Sequence, residues 1–211
     1  MADAKICGIT DAAALDAALA GGARMVGFVV HPASPRHLSR DKLAALADRA
    51  RGRAETVIVT VDADDEALTS LAALAGPDWL QLHGRESPGQ VANAARFAGR
   101  GVIKALGVAR SDDLAQASAY AAVAAMLLFD AKPAPGGLPG GNAVAFDWTI
   151  LAGRSFPRPW LLSGGLTPGN VPEAIAASGA RLVDVSSGVE RAPGIKDPDR
   201  IAQFLAAAKA A

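Results

Sequence analysis

Cysteine is almost missing from this chain: its 211 residues contain one, Cys7, so no internal disulfide can hold it together. A reducing compartment suits such a sequence. Charge of one sign is also lacking, because lysine plus arginine and aspartate plus glutamate each number 21 and no segment concentrates either. A basic face for nucleic acid is therefore excluded. The longest apolar run, residues 121–129, is too short to cross a bilayer. The N-terminus carries Asp3 and Lys5 and lacks the apolar centre of a signal peptide. The three histidines, His31, His37 and His83, show no ligand-like spacing with one another or with Cys7, so no metal is expected. No G-x-S-x-G elbow points to a hydrolase, and no G-x-G-x-x-G follows the first apolar run. What remains is a soluble, cytoplasmic globular protein with 51% apolar residues, enough for a core that needs no staple.

From Cys7 onward, short β-branched runs alternate with alanine-rich amphipathic stretches. The expected strands are Lys5–Cys7, Met25–Val30, Thr56–Val61, Trp79–Leu82, Val102–Leu106, Ala124–Phe129, Trp160–Leu162 and Leu182–Val185. Helical patterns lie between them at 11–20, 39–50, 64–75, 87–98, 111–119, 168–178 and 198–210, and the sixth crossover has room only for a short helix near 147–151. Thr10, Ser39, Asp62, Ser111 and Thr167 are the expected N-caps. Strands separated by helices imply a parallel sheet. Eight units of about 25 residues can close into a (β/α)8 TIM barrel, here a single domain over residues 1–211. An open doubly wound sheet is the competing architecture. The Pro- and Gly-rich stretch from Ala131 to Ala145 is expected to be a functional loop at the top of the barrel.

In such a barrel, ligands sit at the carboxyl ends of the strands. Cys7 ends the first strand and could act as a general base if its pKa were drawn down toward neutrality; otherwise it is a small buried hydrophobe. The loop from His31 to His37 is stiffened by two prolines and could aim Arg36 at a carboxylate or phosphate, or leave it as a solvated surface charge. Gln81 and His83 share one face of the fourth strand, where His83 is either a pocket group or a structural histidine. Asp130 ends a strongly apolar strand, so it must be hydrogen-bonded or carry a raised pKa, and in the latter case could serve as a general acid. The stretches Ser163-Gly164-Gly165 and Ser186-Ser187-Gly188 follow strands seven and eight. Paired small-residue loops at those two positions are the common phosphate site of this architecture.

Taken together and in this order, the motifs resemble the phosphoribosylanthranilate isomerase family of tryptophan biosynthesis. The resemblance runs nearly end to end. It rests on Lys5-Ile6-Cys7-Gly8-Ile9-Thr10, Gly27-Phe28 with Ser34-Pro35-Arg36, Gln81-Leu82-His83-Gly84 and Leu127-Leu128-Phe129-Asp130. It continues through Phe146-Asp147-Trp148, Ser163-Gly164-Gly165-Leu166 with Asn170-Val171, and Asp184 to Glu190 with Pro193-Gly194 and Lys196-Asp197. The resemblance implies an Amadori rearrangement of N-(5-phosphoribosyl)anthranilate without a cofactor. It implies Cys7 as general base, Asp130 as general acid and Arg36 as holder of the anthranilate carboxylate. It also implies Gly164, Gly165, Ser186, Ser187 and Gly188 around the phosphate, with His83 and Asp184 lining the pocket. The partner is then a small phosphosugar–anthranilate substrate, with no nucleic acid or membrane, and the chain is a monomer or homodimer. Two departures stand out. Gly140-Gly141-Asn142-Ala143 replaces the family's usual Gly-Gly-Thr-Gly, and Val30 replaces a commonly aromatic residue, which would reshape the anthranilate side of the pocket.

The rivals are another phosphate-binding barrel, such as indoleglycerol phosphate synthase or a pentose phosphate epimerase, and a non-catalytic phosphometabolite binder. Lys5, two residues before Cys7 and on the same face, is the one feature that keeps a lysine-based chemistry in view.

Overall fold

The computed structural model describes residues 1–132 and 145–211. Eight parallel strands close into a barrel in sequence order. They are β1 (Asp3–Cys7), β2 (Met25–Val29), β3 (Glu55–Thr60), β4 (Trp79–Leu82), β5 (Gly101–Val108), β6 (Met126–Ala131), β7 (Trp160–Leu162) and β8 (Leu182–Val185). The helices that return the chain are α1 (Ala12–Ala20), α2 (Arg40–Ala50), α3 (Asp65–Ala75), α4 (Pro88–Ala94), α5 (Ala117–Ala121), α6 (Val171–Ser178) and α7 (Pro198–Ala210). Closure is made by β1 against β8, with Asp3, Ala4, Lys5 and Ile6 paired to Leu182, Val183, Asp184 and Val185. None of the helices among the described residues is long and apolar enough to cross a membrane.

Alternation along each strand divides the buried apolar residues into two shells. Ile6, Val26, Phe28, Ile58, Leu80 and Leu127 face outward and meet the helices. Met25, Val29, Val57, Val59, Ile103, Leu128 and Leu161 face inward and fill the barrel together with Cys7. The interior is thus packed below and polar only near its upper end. That division places the chemistry at the carboxyl ends of the strands.

The expected strands and helices stand close to their predicted bounds, while most of the caps do not. Ser39 caps α2 as expected, but Asp11 rather than Thr10 caps α1, and Asp64 rather than Asp62 caps α3. In each corrected pair a carboxylate nearer the helix accepts the first-turn N–H, and the displaced residue works in a loop. Thr10 donates to the Gly194 carbonyl, and Asp62 accepts from the Arg85 N–H at 2.7 Å. Asn170, not Thr167, precedes α6, where its side chain accepts from the Thr167 N–H. The stretch from Ser111 begins as a 3-10 turn (Ser111–Gln116) behind Arg110 and becomes helical only at Ala117. In the sixth crossover, Asp147 caps a single 3-10 turn, Trp148–Leu151. Most of the Ala131–Ala145 stretch, including Gly140, Gly141, Asn142 and Ala143, lies outside the described residues. Beyond β8 comes an unexpected hairpin, β9 (Glu190–Ala192) and β10 (Ile195–Lys196), built on the Pro193-Gly194 turn.

One buried ion pair anchors the outer side of β4 and β5. Lys104 on β5 donates to Glu86 Oε2 at 2.6 Å and to the carbonyls of Leu82 and Gly84 at 3.2 and 2.8 Å. Glu86 in turn accepts from the Asp62 and Gly84 N–H groups. The segment Leu82–Gly84, which carries His83, is therefore fixed from below by charge. Lys104→Met strands the Glu86 carboxylate in a dry site, and its expected cost is about 3–5 kcal/mol. Urea unfolding checks this value, and Lys104→Met combined with Glu86→Gln should recover part of the loss.

Candidate active site

Cys7 ends β1 with its sulfur inside the barrel, 6% exposed. It fits there because the residue beside it on β2 is Gly27. A Cβ at that position would stand 2.9 Å from the sulfur. Gly8 then turns the chain at φ +75, a conformation glycine adopts without strain, and the N–H groups of Gly8 and Ile9 both donate to the Gly27 carbonyl. Burial pushes the Cys7 thiol above its ordinary pKa; Lys5 and Lys196 oppose this and Asp184 adds to it. Desolvation outweighs the neighbouring cations, so the lowering that a general base at Cys7 would need is not present in the protein alone.

Asp130 lies across the cavity on β6, buried and hydrogen-bonded through both oxygens. Oδ1 accepts from the Ala131 N–H at 2.9 Å and Oδ2 lies 3.2 Å from His83 Nε2. Gln81 Nε2 lies 2.9 Å from His83 Nδ1. With the amide donating there, the histidine proton sits on Nε2 and points at Asp130. His83 lines the cavity as the hydrogen-bond partner of Asp130.

Arg36 is buried rather than solvated. Its Nε and Nη2 donate to Glu190 Oε1 and Oε2 at 2.8 and 2.9 Å, a bidentate pair. Glu190 also accepts from Lys196 at 2.7 Å, and Lys196 donates to the carbonyl and hydroxyl of Ser186 at 2.9 and 3.2 Å. The β9–β10 hairpin thus connects the Arg36 loop to the loop after β8. Sequence reasoning missed Glu190 and Lys196 as site residues. The available signal was a Pro-Gly turn between two opposite charges, which marks a hairpin.

Asp184 faces inward from β8, accepting from Lys5 Nζ at 2.9 Å and from the Ser163 hydroxyl at 3.3 Å. Cys7, Arg36, His83, Asp130, Asp184, Ser186 and Ser187 all line one cavity of about 400 Å³. Gly164, Gly165 and Gly188 stand beside it, outside its lining. Gly164 and Gly165 adopt φ +92 and +67, and a Cβ at either would lie 2.6 Å from a neighbouring backbone nitrogen, of Ala131 and Ala145 respectively. Both must be glycine for the loop after β7 to pass so close. Val30 packs against the outer shell and is not among the residues lining the cavity.

Residues 4–207 match the family model for N-(5'phosphoribosyl)anthranilate (PRA) isomerase. The chain belongs to that family. A relative from Azorhizobium caulinodans named N-(5'-phosphoribosyl)anthranilate isomerase is 53% identical over 210 residues, covering 99% of this chain and 92% of its own. The phosphoribosyl anthranilate isomerase of Thermotoga maritima is 36% identical with a TM-score of 0.88, each chain covered completely. Another solved isomerase superposes with a TM-score of 0.85 at 33% identity, also over all of both chains. It was crystallised with reduced 1-(o-carboxyphenylamino)-1-deoxyribulose 5-phosphate.

Within this family member, the Arg36–Glu190–Lys196 cluster has a definite pH signature. Burial raises the Glu190 pKa, but Arg36 and Lys196 more than reverse this and hold it below the ordinary glutamate value. A depressed carboxylate stabilises the fold above its unfolded pKa, and that contribution disappears as pH falls through the folded pKa. Glu190→Gln should therefore lower the unfolding free energy from urea titrations most at neutral pH, by about 3 kcal/mol or more. The gap from the parent should close as pH falls through the depressed Glu190 pKa.

Proposed function

We propose that this isomerase of tryptophan biosynthesis uses Cys7 as the base and Asp130 as the acid. With them it converts N-(5'-phosphoribosyl)anthranilate to 1-(2-carboxyphenylamino)-1-deoxyribulose 5-phosphate. The observation that carries the assignment is that a sulfur from β1 and a carboxyl from β6 border the same cavity, with Arg36 on one side and Ser186 and Ser187 on another. Protonated Asp130 donates to the ribose ring oxygen as the C1–O bond breaks, and the anilino nitrogen supplies the electrons to form a C1 iminium. That positive charge acidifies the C2 hydrogen. The Cys7 thiolate removes the C2 proton to give an enolamine. Ketonisation follows by proton gain at C1 and proton loss from the C2 hydroxyl, so the product is an isomer and no atom is gained or lost. His83, with its Nε2–H directed at Asp130 Oδ2, holds that carboxyl in place over the cavity.

The two ends of the substrate carry anions, and each finds a matching group. Arg36, held in place by Glu190, is the cation for the anthranilate carboxylate. The turns holding Gly164, Gly165, Ser186, Ser187 and Gly188 present backbone N–H groups to the phosphate, far from the bonds that change. Anchoring the distant phosphate aligns the sugar between acid and base and reduces the entropy lost on the way to the transition state. Lys5, which kept a lysine-based synthase in view, is buried against Asp184 and offers no exposed amine to a substrate.

Turnover is followed by the loss of anthranilate fluorescence from phosphoribosylanthranilate. Cys7→Ser and Asp130→Asn should each lower kcat by about 10² or more. Near-parental turnover in either variant removes that residue from the mechanism. Arg36→Ala should act mainly on KM, and an unchanged KM would refute its contact with the carboxylate. Binding of the phosphosugar with no turnover by the parent chain would instead favour a non-catalytic binder.

A further inference from the structure

Lys5 is a fully buried cation that makes no contact with the cavity. It points into the barrel beneath the floor of the site, 0% exposed, with Nζ 2.9 Å from Asp184 Oδ1. Lys5 and Cys7 are two residues apart on β1, so both side chains take the inward face. Gly27 shows how near they are to each other. A Cβ there would lie 2.9 Å from Cys7 Sγ and 3.3 Å from Lys5 Cε, so the sulfur and the end of the lysine chain border the same small space.

A thiolate in such a place needs a counter-charge, because desolvation favours the neutral thiol. The charged groups facing Cys7 are few. Lys5 comes from its own strand and Asp184 from β8. Lys196 reaches in from the hairpin, Arg36 and Glu190 stand over the rim, and Asp130 and His83 lie across the cavity. Arg36 and Lys196 are both paired to Glu190. We infer that Lys5 is the positioning residue for the base, its ammonium shared between the Asp184 carboxylate and the Cys7 sulfur so that Asp184 sets how much of the charge the sulfur receives. This rests on the reading of Cys7 as the base. Burial works against the Lys5 charge, but Asp184 and Cys7 outweigh it and keep the ammonium protonated. A purely structural ion pair between Lys5 and Asp184 is the competing account, and it makes a different prediction.

The chain's single cysteine makes the test direct. Ultraviolet absorbance of the thiolate, taken as the difference from Cys7→Ser, reports the Cys7 titration alone. Lys5→Met should move that titration to higher pH by about one unit or more, with kcat/KM at neutral pH falling about tenfold or more. Asp184→Asn frees the ammonium for the sulfur and should move the titration, and the rising limb of kcat/KM, to lower pH. Opposite displacements support the inference. Titrations that stay in place in folded variants, or that both move the same way, overturn it in favour of a structural pair. Should Lys5→Met fail to fold, Lys5→Gln takes its place, since Asp184→Asn alone also removes the direct repulsion between Asp184 and the sulfur; an unshifted titration in folded Lys5→Gln overturns the inference. Full turnover by Cys7→Ser would remove the base reading, a result separate from either titration.

Discussion

The pairing of β1 with β8 is the contact on which the site depends. Without it the sheet has two open edges and Cys7 lies far from Asp184 and Ser186. With it, Lys5 is registered directly opposite Asp184, and the loop after β8 comes to stand beside the end of β1. Closure also fixes the direction of every side chain, since the alternation that turns Ile6 toward the helices turns Lys5 and Cys7 inward. A slip of one residue would exchange these faces, placing charge against the helices and isoleucine in the pocket.

Sequence alone revealed the parts of this design that depend on periodicity. Eight strands were legible because parallel strands buried on both faces read as short β-branched runs between alanine-rich stretches. Cys7 and Asp130 were legible because a reactive group at the carboxyl end of an apolar run stands out. The caps were less so: Thr10 and Asp11 are both acceptable, and the choice was settled by Gly194, 184 residues away, which accepts from Thr10. The role of Glu190 depended likewise on Arg36, 154 residues distant. Local pattern marks the hairpin that carries Glu190, through Pro193-Gly194, but not its distant partner.

The direction of the Cys7 pKa shows a further limit. A thiol at a loop beside glycine reads locally as either a reactive group or a small buried hydrophobe. Its actual state depends on how dry the barrel is below it, and that is set by Met25, Val57, Leu128 and other residues from distant strands. The same packing that makes the interior stable makes ionisation there unfavourable. Packing and ionisation are therefore opposed at this one sulfur, and the nearby buried cations limit the conflict.

The charges of the substrate sharpen that conflict. Around the cavity the buried basic side chains Lys5, Arg36 and Lys196 stand among the buried carboxyl side chains Asp130, Asp184 and Glu190. A phosphate carries nearly two negative charges near neutral pH, and the anthranilate carboxylate adds another. Under the proposed roles, their arrival disfavours the thiolate that Cys7 must present as base. In the proposed complex Arg36 at the rim faces the incoming carboxylate, while Lys196 is bound to Glu190 and Ser186. Lys5 lies beneath the floor, where no substrate anion can reach it, so its charge stays available to the sulfur when the demand is greatest.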